Sequence, residues 1–351
     1  VADFTAKSFD QLFENVKSLP WEDYIGDKEA FPVKGFSIHS QLHSVPDCQR
    51  IVKKAVVTRL SDACGIRWFE ETGVKYQIEF FILNDEATLM IDTSGLPLHK
   101  RGYRPEAGAA PIRETLAAAI AMTARVKEDT LLWDPFCGSG TIPIEAALLA
   151  TNRAPGLGRS FAGEAFANLP APLWAEAREA ARGAIRTDSP FEAYASDIDE
   201  DILDLAYESA LRAGVEEHIN IFQADARRIK REDRRGTIAC NPPYIPTADL
   251  DGLDASVRDF EPRMALDGGT DGLDFYRAIA TLWQPALKPG GRILFEVGIG
   301  QSEAVAMLLR DAGYENICIT RDTGKIDRVV EGMRPKEREH TDLLHDMKEE
   351  A

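Results

Sequence analysis

The sequence has few of the features that mark secreted, membrane or metal-binding proteins. Its five cysteines (Cys48, Cys64, Cys137, Cys240 and Cys318) are scattered without a CxxC pair, which favours reduced thiols over a disulfide framework. No run approaches the roughly 18–20 apolar residues that a membrane-spanning helix needs, and no leader-like segment opens the chain. The six histidines form no metal-like cluster. We therefore expect a cytoplasmic protein with neither a metal site nor a membrane partner.

Basic residues are also scarce, since 41 Lys and Arg stand against 58 Asp and Glu, for a net charge of −17. A protein that binds nucleic acid usually has a basic face. The charge is uneven, however: residues 31–107 hold ten basic and nine acidic side chains, whereas residues 336–351 are predominantly acidic. Because local patches steer binding more than totals do, RNA is not excluded as a partner.

The length of 351 residues and an apolar content of 44% predict two packed domains. Residues 1–97 indicate a small α+β module, with a helix over 48–64 and strands at 76–81 and 87–92. Residues 98–111, with two Gly and two Pro, are typical of a linker. Because the chain begins at Val1 and not at methionine, we expect that an N-terminal piece is missing.

From residue 112 onward, a helix over 112–124 is followed by a repeated strand–helix pattern, which predicts an α/β domain with a mostly parallel sheet. The last two of its strands are too close together for a helical crossover and should pair antiparallel. This domain is predicted over residues 112–335, followed by an acidic tail at 336–351. Its seven strands are predicted at 131–136, 192–197, 219–224, 237–240, 292–297, 317–320 and 327–331.

Residues 134–142, Asp-Pro-Phe-Cys-Gly-Ser-Gly-Thr-Ile, indicate a strand that breaks into a glycine-rich turn before a helix. Gly138 and Gly140 would let the backbone approach a ligand closely, and the helix N-terminus offers free amide groups. An acid at the strand end, Asp134, would repel phosphate but suits a ligand with an ammonium group and a second cation. The ammonium and sulfonium of S-adenosylmethionine meet that description.

Two more acids follow the next two predicted strands. Asp197 is placed to accept the ribose hydroxyls and Asp225 to accept the adenine amine, whereas Asp199 is better explained as a helix N-cap. An N-cap role is also open for Asp197 and Asp225 taken singly. The predicted cofactor-binding residues are Asp134, Phe136, Cys137, Gly138, Ser139, Gly140, Thr141, Asp197, Ile198, Asp225, Ala226 and Asn241.

The tetrapeptide Asn241-Pro242-Pro243-Tyr244 follows another apolar strand and is the predicted catalytic motif. The nitrogen of an exocyclic amine or amide is a poor nucleophile because its lone pair is delocalised. The Asn241 side-chain oxygen and the Pro242 carbonyl could hold its two N–H bonds and turn the lone pair toward a methyl group. Proline presets the carbonyl direction, and Tyr244 offers a face for stacking. Catalysis would then depend on positioning.

Residues 1–244 resemble bacterial THUMP-domain ribosomal RNA methyltransferases that modify the guanine 2-amino group. The resemblance lies in Leu42–Gln49, Leu96–Arg104, Arg113–Leu116, Asp134–Glu145 and Asn152–Gly156. It implies a Rossmann-like S-adenosylmethionine methyltransferase domain preceded by a THUMP-like RNA-binding module, with ribosomal RNA as partner. The family's module would begin further upstream, so this one is expected to be N-terminally truncated.

Residues 245–334 instead resemble release-factor glutamine methyltransferases, through Ile245–Thr247, Arg258–Leu273, Phe295–Gly298, Gln301 and Asp327–Gly332. We interpret the chain as combining two methyltransferases that share the tetrapeptide. Three readings stay open: an RNA guanine amino-methyltransferase, which leads; a glutamine methyltransferase with a release factor as partner; and a non-catalytic RNA-binding relict. The intact Asp134, Asp197, Asp225 and Asn241 argue against the relict.

If the segment after Tyr244 shapes the substrate pocket, residues 260–262 and 271–272 should lie beside the tetrapeptide. The segment also carries four acids between Asp249 and Asp259, which would repel phosphates. On this ground we expect poor methylation of ribosomal RNA and a preference for a glutamine side chain.

Overall fold

The computed structural model describes residues 1–104, 112–127, 129–228, 235–259 and 261–336. The chain divides into two compact units: unit 1 comprises Val1–Leu98 and Ser160–Ala180, and unit 2 comprises His99–Arg159 and Ala181–Ala351. Helices of the described residues are α1 (Phe9–Lys17), α2 (Val45–Cys64), α3 (Glu114–Thr123), α4 (Thr141–Ala150), α5 (Ala171–Gly183), α6 (Glu200–Ala213), α7 (Ala255–Arg258), α8 (Arg263–Leu266), α9 (Asp274–Leu282) and α10 (Ser302–Asp311).

Unit 1 is an α+β module built on a four-stranded sheet. Its strands are β1 (Ala2–Thr5), β2 (Val33–Ile38), β3 (Ile78–Leu83) and β4 (Glu86–Ile91), in the order β1-β4-β3-β2. The predicted hairpin of β3 and β4 is present and antiparallel. Its first strand begins at Ile78, two residues after the predicted start. Helix α2 begins at Val45, three residues before the predicted start, with a proline in its first turn, where the missing N–H costs nothing.

The segment Ser160–Ala180 was assigned by its position in the sequence to the second domain, but it packs within unit 1. Phe166 stacks on Tyr76 with ring centroids 4.1 Å apart, and the Ala167 amide donates to the Tyr76 hydroxyl at 3.1 Å. Phe166 is buried in the same apolar core as α2 and β3. An excursion from the second domain therefore completes the core of the first unit.

Unit 2 contains the seven-stranded sheet. Its strands are β5 (Leu131–Asp134), β6 (Glu192–Asp197), β7 (Ile219–Gln223), β8 (Arg235–Cys240), β9 (Leu287–Glu296), β10 (Glu315–Arg321) and β11 (Asp327–Met333). Their order is β10-β11-β9-β8-β5-β6-β7. Strands β5 to β9 are parallel, and β11 is antiparallel to both β9 and β10, as predicted for the terminal hairpin.

Apolar clusters cover both faces of this sheet, which explains why its central strands are apolar on both sides. One face contributes Leu132, Ala239 and Leu294 to a core that includes residues of α3 and α4. The other contributes Ile238 and Phe295 to a core with residues of α9 and α10. A sheet covered on both faces leaves its edges for polar chemistry, and the edge at the carboxyl ends of the parallel strands holds the predicted site.

Candidate functional site

Four predicted site residues lie at one edge of the seven-stranded sheet. Asp134 ends β5, Asp197 ends β6, Asp225 follows β7 by two residues, and Asn241 directly follows β8. Because these strands are parallel neighbours, their carboxyl ends meet at the same edge. The structure thus brings together residues that are up to 107 positions apart in the sequence.

The glycine-rich turn after β5 is held by the end of β6. The Phe136 amide donates to the Asp134 carboxylate at 3.1 Å, the Cys137 amide to the Ser196 carbonyl at 3.0 Å, and the Gly138 amide to the Asp197 carboxylate at 3.0 Å. Gly138 and Gly140 have φ of +50° and +80°, a region that favours glycine. These hydrogen bonds and backbone angles therefore define the conformation of the turn that leads into α4.

Helix α4 begins at Thr141 with Gly140 as its N-cap and no side-chain cap. Arg104 donates to the Thr141 hydroxyl and, at 2.8 Å, to the Ile112 carbonyl, and it pairs with the buried Glu114. The buried Ser139 hydroxyl has no hydrogen-bond partner among the described residues. Arg104, which belongs to the predicted linker, therefore stabilises the N-terminus of α4.

The rest of the described linker is also part of unit 2. Tyr103 is only 4% exposed, and its hydroxyl donates to Glu145 at 3.1 Å. Arg101 pairs with the same carboxylate at 3.4 Å. Residues 99–104 are thus folded structure and not a free connector; residues 105–111 lie outside the described part.

Asp134 is the most unusual ionisable group of this edge. It is 1% exposed, and burial, together with the charge of Asp197, raises its pKa well above the ordinary value, against the Phe136 amide that lowers it. Burial likewise raises the pKa of Asp197. A buried carboxylate without a cation partner is costly. A cationic ligand at this position would remove that cost, so the chemistry of the edge suits one.

Asp225 and its neighbours are arranged differently. The Asp225 carboxylate accepts from the Arg227 guanidinium at 3.1 Å and from the Arg227 amide at 2.9 Å, and these contacts lower its pKa. The Ala226 carbonyl accepts from the Trp283 indole at 2.9 Å, while Ile198 is 42% exposed. The sequence did not indicate that Arg227 would compete with the adenine amine for the Asp225 carboxylate.

Asp199 caps α6 as predicted, since its carboxylate accepts from the Asp201 amide at 3.0 Å. Asp197, for which a cap role was the alternative, accepts instead from the Gly138 and Asp199 amides. The Asp197 carboxylate thus binds the loops that follow β5 and β6 and does not cap α6.

The tetrapeptide lies at the same edge with its acceptors in place. The Asn241 side-chain oxygen is buried and has no partner among the described residues. Pro242 and Pro243 are buried. Burial and the charges of Glu296 and Glu261 raise the pKa of Tyr244 to about 12, so its phenol is neutral at physiological pH. Burial also raises the pKa of Cys137 and Cys240, so neither thiol is a thiolate nucleophile.

The segment after the tetrapeptide returns to it. The Gln301 amide donates to the Tyr244 carbonyl at 2.8 Å and to the Gly272 carbonyl at 3.4 Å, and Gly268 and Gly272 both approach the Tyr244 backbone. The expected proximity of the 271–272 stretch is confirmed at Gly272, and the charge of Glu261 contributes to the raised pKa of Tyr244. Phe260 lies outside the described residues. Only the glutamine-methyltransferase resemblance indicated Gln301, and its contact with Tyr244 was not predicted.

The basic residues of α2 in unit 1 are largely paired with acids. Arg59 pairs with Glu22, Arg50 with Asp47, and Lys53 with Glu71 at 2.6 Å. His39 and His43 are exposed. In the described residues no group of three or more His, Cys, Asp or Glu is arranged to hold a metal ion. Nor is any helix there long and apolar enough to cross a membrane.

Two family models match the chain. The THUMP domain matches residues 6–92, and the RMKL-like methyltransferase domain matches residues 101–249. The chain belongs to the THUMP-domain methyltransferases of the RMKL-like family. The seven-stranded sheet is accordingly the methyltransferase domain of this family, and the glycine turn and the tetrapeptide both fall within its matched residues.

Among curated relatives, YpsC of Bacillus subtilis, named as a candidate RNA methyltransferase, is 45% identical over 246 residues, 70% of this chain and 64% of that protein. Ribosomal RNA large subunit methyltransferase K/L of Aliivibrio fischeri is 35% identical over 253 residues, 70% of this chain and 36% of that protein. The chain thus spans less than two thirds of the length of these relatives.

Solved structures resemble nearly the whole chain. A predicted N6-adenine-specific DNA methylase from Listeria monocytogenes has a TM-score of 0.79 at 36% identity, covering 96% of this chain and 81% of that one. SMU.472, a candidate methyltransferase in complex with SAH, has a TM-score of 0.78 at 29% identity, covering 97% and 83%. The part after Tyr244 therefore falls within the same architecture as the rest.

Proposed function

We propose that this THUMP-domain methyltransferase transfers a methyl group from S-adenosylmethionine to the exocyclic amine of a guanine in large-subunit ribosomal RNA. The observation that carries the proposal is the Asn241 side-chain oxygen, a buried acceptor without a described partner. It directly follows the strand next to the one that ends in the buried Asp134. Among the described residues, an unsatisfied acceptor beside a buried carboxylate that pairs with no cation suits an amine substrate and a cationic methyl donor.

The cofactor assignments follow from the same edge. Asp134 would hold the ammonium group, the 138–141 turn the amino-acid part, and Asp197 the ribose hydroxyls. Asp225 would accept the adenine amine, for which Arg227 must give up part of its contact. The complex of the relative SMU.472 with SAH supports a cofactor of this class. When bound, S-adenosylmethionine supplies an electrophilic methyl group.

The protein's part in the reaction is positioning. The Asn241 oxygen and the Pro242 carbonyl would accept the two N–H bonds of the amine, which directs the nitrogen lone pair toward the methyl group. Tyr244, neutral and partly buried, would stack on the base. The thiols of Cys137 and Cys240 are neutral, so neither is suited to form a covalent intermediate. Direct transfer between the bound partners therefore fits the site best.

Ribosomal RNA is supported as the substrate by the THUMP match and by the names of the curated relatives. A glutamine side chain in a release factor is the second candidate. It is favoured by the acids of residues 249–259 and by the return of Gly272 and Gln301 to Tyr244. The Listeria relative is named for adenine in DNA, which also carries an exocyclic amine. A cytoplasmic location stays a prediction.

Transfer of radiolabelled methyl groups to undermodified large-subunit ribosomal RNA, to unmodified release factor and to unmethylated DNA tests the proposal. We expect label in the RNA, at a guanine amine, and none in the other two. Asn241→Ala should lose turnover by at least about 100-fold and keep its affinity for S-adenosylmethionine. The matched control is Asn220→Ala, an exposed asparagine of the same sheet, which should keep full activity. Label only in the release factor would support the second candidate, and no binding of S-adenosylmethionine would support the non-catalytic reading.

A further inference from the structure

A fifth polar side chain lies at the same edge of the sheet, and none of the roles above uses it. Glu296 ends β9, is only 5% exposed, and has one carboxylate oxygen that is fully buried without a hydrogen-bond partner among the described residues. The nearby Tyr276 hydroxyl donates to the Glu296 backbone carbonyl at 2.8 Å and not to its side chain. This buried carboxylate oxygen therefore makes no hydrogen bond within the described part of the protein.

The sheet register brings Glu296 next to Asn241. In the parallel pair of β8 and β9, Cys240 is opposite Phe295 and Ala239 is opposite Leu294. The next residues, Asn241 and Glu296, therefore start from neighbouring positions about 4.8 Å apart. Because side chains alternate between the faces of a strand, Glu296 lies on the face of Leu294, and Asn241 directly follows Cys240, the residue opposite Phe295. Two buried acceptors without partners among the described residues thus start from neighbouring strand ends.

The charges around Glu296 leave it able to change its protonation state. Burial raises its pKa to about 7, against the positive charge of Arg328, which lowers it. Arg328 is itself paired with Asp322 at 3.0 Å. The other titratable neighbours, Tyr244 and Tyr276, have raised pKa values and stay neutral at physiological pH. Near neutrality, Glu296 therefore titrates, whereas the two tyrosines do not.

We propose that Glu296 is a substrate-binding residue whose carboxylate accepts a hydrogen bond from the ring N1–H of the guanine that is methylated. This inference rests on the proposed function and deepens it. Guanine presents three N–H bonds along one edge, two on the exocyclic nitrogen and one on N1. The Asn241 oxygen and the Pro242 carbonyl would take the first two, and Glu296 the third.

The ionised form of the same acceptor disfavours adenine. Its ring N1 carries no hydrogen, so a carboxylate beside it would face a lone pair. The ionised Glu296 thus discriminates against adenine. Hydrogen bonds to charged groups are the strong ones, and a site left with an unpaired acceptor rejects the wrong substrate.

The test compares Glu296→Gln with the matched variant Glu331→Gln. Glu331 lies on the neighbouring strand β11, is also largely buried, and pairs with Arg292 at 2.5 Å. Methyl transfer to undermodified large-subunit ribosomal RNA is measured at limiting RNA between pH 6 and 8.5. Affinity for S-adenosylmethionine and thermal unfolding are measured on the same samples.

We expect Glu296→Gln to reduce kcat/KM for RNA by about 10- to 100-fold, with unchanged affinity for S-adenosylmethionine. The wild type should gain activity as the pH rises through about 7, where Glu296 ionises, and Glu296→Gln should lose that rise. Glu331→Gln should lose thermal stability but keep the pH profile of the wild type. A merely structural role for Glu296 would lower stability without changing the pH profile.

The two proposals fail in distinguishable ways. If the wild type methylates RNA and Glu296→Gln keeps both its kcat/KM and its pH profile, the inference on Glu296 is wrong and the proposed function stands. If the wild type binds S-adenosylmethionine but methylates release factor or DNA and not RNA, both are overturned. A Glu296→Gln protein that does not fold would itself overturn the binding role, because it would show that the carboxyl group is structural.

Discussion

The Asp197 carboxylate accepts a hydrogen bond from the Gly138 amide at 3.0 Å, so the acid at the end of β6 fixes the glycine turn that follows β5. Its other oxygen accepts from the Asp199 amide at 3.1 Å. One side chain therefore joins the two neighbouring loops on which the proposed cofactor site depends. A change at Asp197 should affect the ligand both directly, through the ribose, and indirectly, through the turn.

We predict that Asp197→Ala weakens binding of S-adenosylmethionine by about 1.5–3 kcal/mol, because hydrogen bonds to a charged acceptor are lost. Isothermal titration of the folded variant measures the loss. Titration with a 2′-deoxy analogue of S-adenosylhomocysteine separates the direct from the indirect part. If the carboxylate binds the ribose, the substitution should cost less affinity for the deoxy analogue. Equal losses with both ligands would assign the whole effect to the Gly138 turn.

Asp134→Asn should separate stability from binding. Because burial raises the pKa of Asp134 above its ordinary 3.8, the folded state holds the proton more tightly than the unfolded state. The stability of the cofactor-free protein therefore falls as the pH rises from about 3.8 through the folded pKa, and the penalty is fully present above it. Asparagine removes the penalty, so the variant should be more stable at pH 8, by on the order of 1 kcal/mol or more.

The same variant should bind S-adenosylmethionine at least about tenfold more weakly, since the ammonium group loses its counter-charge. Urea unfolding at pH 5 and pH 8, with and without the ligand, checks both effects. Asp199→Asn is the control, because asparagine also caps a helix and the Asp199 side chain is not buried. A loss of stability in Asp134→Asn at pH 8 would show that the charged carboxylate is satisfied in the cofactor-free protein.

Much of the site could be predicted because its residues are placed by local pattern. Asp134, Asp197 and Asp225 each follow an apolar strand, and parallel strands bring such positions to one edge without any knowledge of side-chain contacts. Asp199 was predictable as a cap for the same reason, since a cap depends on the residues of a single turn.

What could not be predicted depends on contacts between distant residues. Gln301 binds the Tyr244 carbonyl across 57 positions, and Tyr103 binds Glu145 across 42. Periodicity shows which face of an element is apolar, but not which other element covers it. For the same reason the packing of Phe166 on Tyr76 was missed, and residues 160–180 were assigned to the wrong side of the domain division.

Gly272→Ala tests whether the segment after the tetrapeptide shapes the pocket. Gly272 has a φ of +74°, and an added Cβ would lie 2.3 Å from the Tyr244 carbonyl oxygen and 2.6 Å from the Gln301 amide nitrogen. The substitution should break the hydrogen bond from the Gln301 amide to the Tyr244 carbonyl. It should lower kcat by about tenfold or more, because small displacements of positioning groups slow the reaction. Affinity for S-adenosylmethionine should not change.

Gly252→Ala is the matched control, since an added Cβ there has nothing within 4 Å. It should keep its turnover. Steady-state rates and titration of both variants are compared with thermal unfolding, in which Gly272→Ala should lose about 1–2 kcal/mol through its positive φ alone. Full turnover by a folded Gly272→Ala would show that the Tyr244 carbonyl contact does not contribute to catalysis.

The last prediction concerns the acids that follow the tetrapeptide. Asp249 and Asp251 are exposed in the segment after Tyr244, which leaves the sheet at the edge of the site. If RNA is the substrate, these charges oppose its phosphates. The double substitution Asp249→Asn and Asp251→Asn should then lower KM for ribosomal RNA by roughly three- to tenfold at low salt, and also frees Arg263, which pairs with Asp251 at 3.4 Å.

The control makes the same change in charge at the other end of the strands. Glu216 and Glu217 lie in the short helical turn before β7, at its amino end, so Glu216→Gln with Glu217→Gln should leave KM for RNA unchanged. The decrease in KM caused by the Asp substitutions should become smaller as the salt concentration rises, because the Debye screening length falls to about 10 Å at 0.1 M. A gain that does not depend on salt would point to a local change in the loop. No gain at any salt concentration would show that phosphates do not pass this segment, and would favour a glutamine side chain as the group that reaches Asn241.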